Sequence, residues 1–138
     1  MTSPRITAIV LVLNEADNLR ALLPQLSWAD ETLVIDGGST DESVAIAQSL
    51  GARTIRRPFD DFASQRNAAL AEARGEWALY IDADERPSSR LADEIRLRIG
   101  AGGRQGYRVP IRSTIFGRRF RFSGTQDDAP LRLVARRA

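Results

Sequence analysis

Two acids separated by one small residue close the apolar run Trp77-Ala78-Leu79-Tyr80-Ile81 in the stretch Asp82-Ala83-Asp84-Glu85. Acids at the tip of a buried strand are commonly held for a cation. Hard divalent ions such as Mg²⁺ take one or two carboxylates together with phosphate oxygens and water, so an Asp-x-Asp tip suits a metal shared with a diphosphate. The same residues, followed by Pro87 and Ser88, also read as a strand end that caps the next helix, because Asp and Ser are favoured N-caps. A second acidic strand end, Leu33-Val34-Ile35-Asp36 running into Gly37-Gly38-Ser39-Thr40-Asp41, favours the cation reading. Two strands that deliver Asp to one edge are harder to explain as turns alone.

The elements that must position these acids follow from periodicity. Through the first ninety or so residues, short β-branched runs alternate with amphipathic helical stretches. Ile6 to Leu13 is a continuous apolar run of the kind buried on both faces of a sheet. Leu19, Leu22, Leu23 and Leu26 fall at helical spacing within a helix over 16–26. Thr32 to Ile35 is a second strand, and Ser39 to Leu50 a helix with Ser/Thr/Asp at its start and Gly51 at its end. Ala52 to Arg56 is a third strand, Phe62 to Ala73 an alanine-rich helix closed by Gly75, and Trp77 to Ile81 a fourth strand. This alternation predicts an α/β domain with a doubly wound, mostly parallel sheet and helices on both faces. Such sheets bind ligands at the carboxyl ends of their strands, near the point where strand order reverses. Asn14-Glu15, Asp36 and Asp82-Ala83-Asp84 all fall at such ends.

Past Ile99 the pattern changes. Gly100-Ala101-Gly102-Gly103 interrupts it, and Gly106 to Arg112 with Thr114 to Phe122 alternates as antiparallel strands around Gly117. The expected division is a ligand-binding α/β region over 1–99 and a short basic antiparallel section over 100–138 within one domain. Leu131 to Ala138 reads as a strand that stops abruptly, which suggests an incomplete domain.

Composition narrows the chemistry. At 138 residues, 43% of them hydrophobic, the chain is one globular domain with room for a real core. It has no cysteine, which excludes disulfides and thiolate metal sites. It has no histidine, the commonest general base, so catalysis would rest on carboxylates, arginines and backbone. The first apolar run is too short to span a membrane and lacks a signal peptide's cleavage site, so a cytoplasmic location is expected. All twenty basic residues are arginine: nine face sixteen acids over residues 1–95, and eleven face two over 96–138. The basic section suits phosphates or peripheral contact with an anionic membrane surface at its inner face, or is simply a solvated hairpin. Arg118-Arg119-Phe120-Arg121-Phe122 has some of the chemistry of nucleic-acid binding, but no recognisable module surrounds it, and nucleic acid is not an expected partner.

Four ordered motifs carry a resemblance. They are Val12-Leu13-Asn14-Glu15, Val34-Ile35-Asp36-Gly37-Gly38-Ser39-Thr40-Asp41, Phe62-Ala63-Ser64-Gln65-Arg66-Asn67-Ala68-Ala69-Leu70, and Asp82-Ala83-Asp84-Glu85-Arg86. Together they resemble the GT-A fold glycosyltransferases of family two, and within it lipopolysaccharide-core glucosyltransferase-like proteins. The resemblance implies inverting, metal-assisted transfer of a sugar from a nucleotide-sugar donor, expected to carry uridine diphosphate. The implied acceptor is a cell-envelope glycan or a lipid-linked lipopolysaccharide core. In that scheme Asp36 hydrogen-bonds the base, while Leu13, Asn14, Glu15 and Ala83 line the donor pocket. Asp84 holds Mg²⁺ or Mn²⁺ directly, Asp82 contacts the ribose or supports the metal, and Arg66 meets the diphosphate as a planar donor fork.

Plainer roles stand beside these. Asp41 reads as a cap, Asn67 as a residue ordering its helix start, Glu85 and Arg86 as a surface pair, Trp77 and Phe62 as core, and Trp28 as packing. The general base of the resembled enzymes lies beyond a stretch like Leu131-Arg132-Leu133, in an acidic motif that often includes histidine. This chain has no histidine, and Asp127 and Asp128 are the only acids in its last forty residues, hence the fallback bases. The competing function classes are a nucleotide-binding module without the base, and a nucleotidyltransferase. The second is disfavoured because no Gly-rich phosphate loop with a lysine is present.

Overall fold

The computed structural model describes residues 5–101, 106–108, 111–114, 117–120 and 131–135. In chain order the elements are β1 (Ile6–Val12), α1 (Ala16–Leu22), a 3₁₀ turn (Leu23–Leu26), β2 (Glu31–Asp36), α2 (Ser43–Ser49), β3 (Arg53–Arg56) and α3 (Phe62–Glu72). They continue with β4 (Trp77–Asp82), β5 (Glu85–Pro87), α4 (Leu91–Ala101), β6 (Gly106–Arg108), β7 (Ile111–Thr114), β8 (Gly117–Phe120) and β9 (Leu131–Ala135). Six strands form the main sheet in the order β3-β2-β1-β4-β9-β6. The first four are parallel, and β9 runs antiparallel to both β4 and β6. A second sheet has the order β5-β8-β7, with β5 parallel and β7 antiparallel to β8.

The two faces of the sheet have different packing. On one, Ile6, Ala8, Val10 and Val12 of β1 meet Leu19 and Leu22 of α1, Ala47 of α2, and Leu91, Ile95 and Ile99 of α4. On the other, Ile9, Leu33, Ile35 and Tyr80 meet α3 through Ala69, with Ala73 just past its end. Small residues on α3 let its axis lie close to the strands, which explains its alanine content. Burial on both faces explains why β1 is an unbroken apolar run instead of an alternating one. At Gly75, a Cβ would sit 2.7 Å from the Thr7 backbone nitrogen, so only glycine lets the chain leaving α3 pass β1.

The expected alternation is present, with shifts that have local causes. The helix over 16–26 ends at Leu22 and continues as a 3₁₀ turn, because Pro24 supplies no backbone N–H; the four leucines are buried all the same. The second helix starts at Ser43, not Ser39; residues 39–41 form a loop before it whose N–H groups are bonded by side chains of Asp36 and Asn14. The antiparallel section divides: β7 and β8 pair with each other, while β6 and β9 extend the main sheet.

Glu31, at the start of β2, joins four parts of the fold. It accepts from the Thr7 hydroxyl (3.0 Å), the Arg53 guanidinium (3.1 Å) and the Arg74 backbone N–H (3.1 Å). Burial alone would raise its pKa, but these donors and the Arg53 charge together lower it. A carboxylate whose folded pKa is depressed stabilises above its unfolded pKa, and that contribution is lost as pH falls through the folded value. Glu31→Gln is expected to cost about 1–2 kcal/mol at neutral pH. Urea unfolding across pH should show the gap between variant and parent closing below the ordinary carboxylate range; a constant gap would refute the linkage.

Candidate functional site

Strand order reverses at β1, with β2 and β3 on one side and β4 on the other. The carboxyl ends of β1 and β4 therefore open a crevice. A cavity of ≈ 340 Å³ lies there, lined by Leu11, Val12, Leu13, Glu15, Phe59, Phe62, Gln65, Asp82, Ala83 and Asp84. That volume is in the range of small-ligand sites.

Side-chain caps lock the loops after β1 and β2 together. Asn14 adopts φ 53, a left-handed conformation that Asn tolerates. Its Oδ1 accepts from the N–H groups of Thr40 (2.8 Å) and Asp41 (3.2 Å), and its own N–H donates to Ser39 Oγ (2.8 Å). Glu15 N–H donates to Ser43 Oγ (2.9 Å), and Asp41 accepts from Ser43 N–H (2.9 Å) and Ala16 N–H (3.3 Å). These bonds hold the cap role expected of Asp41 and fix the strand ends against each other.

A second loop forms the apolar lip. Arg57 N–H donates to the Asp36 carbonyl (2.8 Å), Gly37 N–H to the Val12 carbonyl (2.8 Å) and Phe59 N–H to the Gly37 carbonyl (3.3 Å). A Cβ at Gly37 would lie 3.2 Å from Phe59 Cβ, so any side chain there would press the loop outward by a few tenths of an ångström. Buried Gln65 donates to the Arg57 carbonyl (2.8 Å), and its amide oxygen accepts from the Arg57 guanidinium. Asp61 caps α3 through Ser64 N–H (2.7 Å). The result presents Phe59 and Phe62 edge to face, centroids 5.0 Å apart at 71°. Phe62 is 64% exposed at the cavity rim, which corrects its reading as a core residue; a helix's first residue precedes the turns that pack. Trp77 is buried, and Trp28 is half-buried against the same core.

The acidic lip is held from beneath. Asp82 N–H donates to Glu85 Oε1 (2.8 Å), closing the turn over Ala83 and Asp84. Glu85 is fully buried and meets the Arg132 guanidinium from β9 at 2.7 and 3.1 Å. Burial raises the Glu85 pKa, opposed by Arg132 and the Asp82 N–H. Arg86 instead reaches the Ala83 carbonyl (2.7 Å) and Asn18 Oδ1 (2.8 Å), and Asn18 donates to Glu15 (2.7 Å). Glu85 and Arg86 are thus no surface pair: one carboxylate anchors the turn to β9, and the guanidinium ties it to α1.

Of the residues expected from sequence, Leu13, Glu15, Asp82, Ala83 and Asp84 line the cavity together. Asn14 shapes it as a loop lock. Asp36 stands apart, 1% exposed, its carboxylate accepting from the N–H groups of Gly38 (3.2 Å) and Ser39 (3.0 Å) beside a neighbouring hollow of ≈ 560 Å³. Arg66 is not part of the lining; its guanidinium stacks over the Tyr80 ring at 5.7 Å, and Asn67 is exposed. Asp127, Asp128 and the arginine side chains of 104–121 lie outside the described residues. Phe59, Gln65 and Arg132 were not singled out by sequence. For Arg132 the signal was a charged residue between two leucines on a short apolar strand.

Among the described residues no group of three His, Cys, Asp or Glu side chains forms a metal cage. Asp82 and Asp84 do fit an ion that draws its other ligands from a phosphate and water, as Mg²⁺ does. Asp84 is exposed on the lip, and Asp82 is 41% exposed with Oδ2 3.6 Å from Arg132. No described helix is long and apolar enough to cross a membrane.

The mostly parallel sheet with helices on both faces is the α/β architecture of the GT-A class of fold. The chain belongs to glycosyl transferase family 2, whose sequence model matches residues 7–125. An uncharacterized glycosyltransferase of Rickettsia bellii is 38% identical over 96 residues, which cover 69% of this chain and 33% of that protein. The lipopolysaccharide core biosynthesis glycosyltransferase LpsC of Rhizobium meliloti is 28% identical over 137 residues, covering 95% of this chain and 51% of the relative. The chain thus spans about a third to a half of the length of these relatives. Among solved structures, S. aureus TarS matches with TM-score 0.62 at 24% identity over 70% of this chain and 32% of that one. Glucosyl-3-phosphoglycerate synthase of M. tuberculosis matches with TM-score 0.54 at 26% identity over 59% and 35%.

The loop lock is open to test. Asn14→Ala removes an acceptor for two N–H groups and leaves a β-carbon in left-handed backbone, so it should lower unfolding free energy by about 1–2 kcal/mol. Asn14→Gly should lose less, since glycine adopts that backbone freely. Parental stability of the alanine variant in denaturant titration would count against the lock.

Proposed function

We propose that this chain forms the donor-binding part of an inverting, metal-assisted glycosyltransferase that takes a sugar from a nucleotide-sugar, with uridine diphosphate as the carrier. The observation that carries the reading is the single cavity wall shared by an apolar lip, Leu13, Phe59 and Phe62, and an acidic lip, Asp82-Ala83-Asp84. An apolar lip suits the flat face of a base. An acidic lip suits a cation that compensates a diphosphate. The M. tuberculosis synthase, a neighbour in fold, was solved in complex with Mn²⁺, UDP and phosphoglyceric acid.

Each residue has a physical task in this scheme. Phe62 and Phe59 offer exposed ring surface to the base, and the caps on Asn14 keep the β1 end from collapsing into the crevice. Asp84 and Asp82 would hold a divalent metal, which when bound supplies Lewis-acid stabilisation of a departing diphosphate. Glu15 is held by Asn18, which Arg86 in turn links to the acidic turn, and from there its carboxylate suits a ribose hydroxyl. Asp36 supports the site indirectly in this reading, by holding the loop whose serines cap the β1 end. Arg66 lies on the helix behind the cavity wall, and a contact with the diphosphate would need its side chain to leave Tyr80.

The proposed acceptor is a cell-envelope glycan or lipopolysaccharide core, supported by the similarity to a relative named for core biosynthesis. The carboxylate that takes the acceptor's proton is proposed to be Asp127 or Asp128, or an acid of a longer chain.

Calorimetric titration of the chain with UDP, with Mn²⁺ and again with EDTA, tests the reading. Binding should depend on metal, and Asp84→Ala should weaken it by about tenfold or more. Phe62→Ala should weaken it about three- to tenfold through lost stacking, with or without metal. Metal-independent binding that ignores Asp84 would sink the metal assignment, and no binding to the parent would sink the donor site. Consumption of a nucleoside triphosphate in place of a nucleotide-sugar would point to nucleotidyl transfer.

A further inference from the structure

Arg132 is the one described residue of β9 whose side chain reaches the acidic turn. The last register pair between β4 and β9 is Leu79 with Leu133, and the next residue on β9 toward the site is Arg132. Its guanidinium donates to both carboxylate oxygens of Glu85 (2.7 and 3.1 Å) and to the Tyr80 carbonyl (3.2 Å), and lies 3.6 Å from Asp82 Oδ2. Arg132 is 4% exposed and Glu85 is fully buried, whereas the Asp82 side chain is 41% exposed. One buried cation therefore touches the strand before the turn, the acid that closes the turn, and the first acid of the Asp-x-Asp pair.

The geometry points to Arg132 as a positioning residue that sets the Asp82 carboxylate and the Asp82–Glu85 turn for metal-dependent nucleotide binding, an inference that rests on the donor-site reading above. Three features support a positioning role over simple ballast. The planar fork fits the Glu85 carboxylate bidentately, which fixes direction as well as charge. A buried ion pair is seldom a net source of stability compared with apolar residues of similar size, so its placement under a functional turn calls for another reason. The guanidinium also draws one Asp82 oxygen toward β9 while Asp84 stays on the exposed lip, so the two acids of the pair are held in unequal settings.

The test separates positioning from stability. Glu85→Gln combined with Arg132→Met removes both charges, keeps an amide oxygen to accept from Asp82 N–H, and leaves no unpaired buried ion. Arg132→Lys keeps the charge and loses the fork, and it decides the matter should the double variant fail to fold. Each is read by thermal unfolding and by calorimetric titration with UDP, in Mn²⁺ and in EDTA. The expected result is melting within about 5 °C of the parent, Mn²⁺-dependent UDP affinity reduced by about tenfold or more, and affinity in EDTA changed by less than about twofold. A folded variant that binds UDP in Mn²⁺ as the parent does would overturn the inference and leave the pair a purely structural contact. Equal weakening with and without metal would overturn it too, by tracing the effect to general loss of the cavity. A parent that shows no Mn²⁺-dependent UDP binding would instead refute the donor-site reading itself, and this inference with it.

Discussion

Everything at the carboxyl edge depends on the double burial of β1. Its side chains pack against α1, α2 and α4 on one face and against α3's side on the other, and its backbone pairs with β2 and β4. A strand enclosed in this way can reach solvent only at its ends. Since β2 and β4 diverge into different loops on either side of it, the residues just past Val12 look into a gap that neither loop can fill. The crevice is thus a by-product of strand order, and the side chains around it inherit their places from the sheet.

What turns the gap into a shaped site is polar cross-linking, and the links are unequal. Pairs such as Arg20 with Asp17 lie in solvent, which screens them and leaves them little to contribute. The bonds to Asn14, Asp36 and Asp41 satisfy backbone N–H groups in and just after the loop between β2 and α2, and so hold that loop to the end of β1. The Glu85–Arg132 pair differs again, because neither partner can return to water without opening the sheet. Breaking it by removing one partner would leave an uncompensated buried charge, a cost of about 3–5 kcal/mol.

Much of this was legible in the chain. The strand–helix alternation reads directly from apolar periodicity, because β1, β2 and β4 are buried and β-branched while the helices carry leucines or alanines at helical spacing. The gathering of Leu13, Glu15 and Asp82 to Asp84 follows from that topology alone. What stayed hidden depends on contacts between distant positions. Nothing local in Glu85 distinguishes an exposed acid from a buried one; its partner is 47 residues away. Phe62 looks like core by type, and only its place at the first turn of α3 exposes it. Asp36 reads as a ligand for the crevice, and its bonds to the N–H groups of Gly38 and Ser39 are contacts that its type alone does not announce. In each case composition names the chemistry, and the competing partner decides where it is spent.

The Arg132 contacts also order events in time. A chain made from its N-terminus has β1 to β4 and all of the acidic turn available well before residue 132, and the Arg132 bond to Tyr80 closes a separation of 52 residues. Until β9 arrives, Glu85 has no buried cation to pair with and is better off in water. The nascent domain can therefore assemble its parallel half early while its acidic lip is left unfinished. A truncation that spares every residue of the lip but removes β9 would keep the four parallel strands, take the partner of β6 from the sheet and strip Glu85 of its cation.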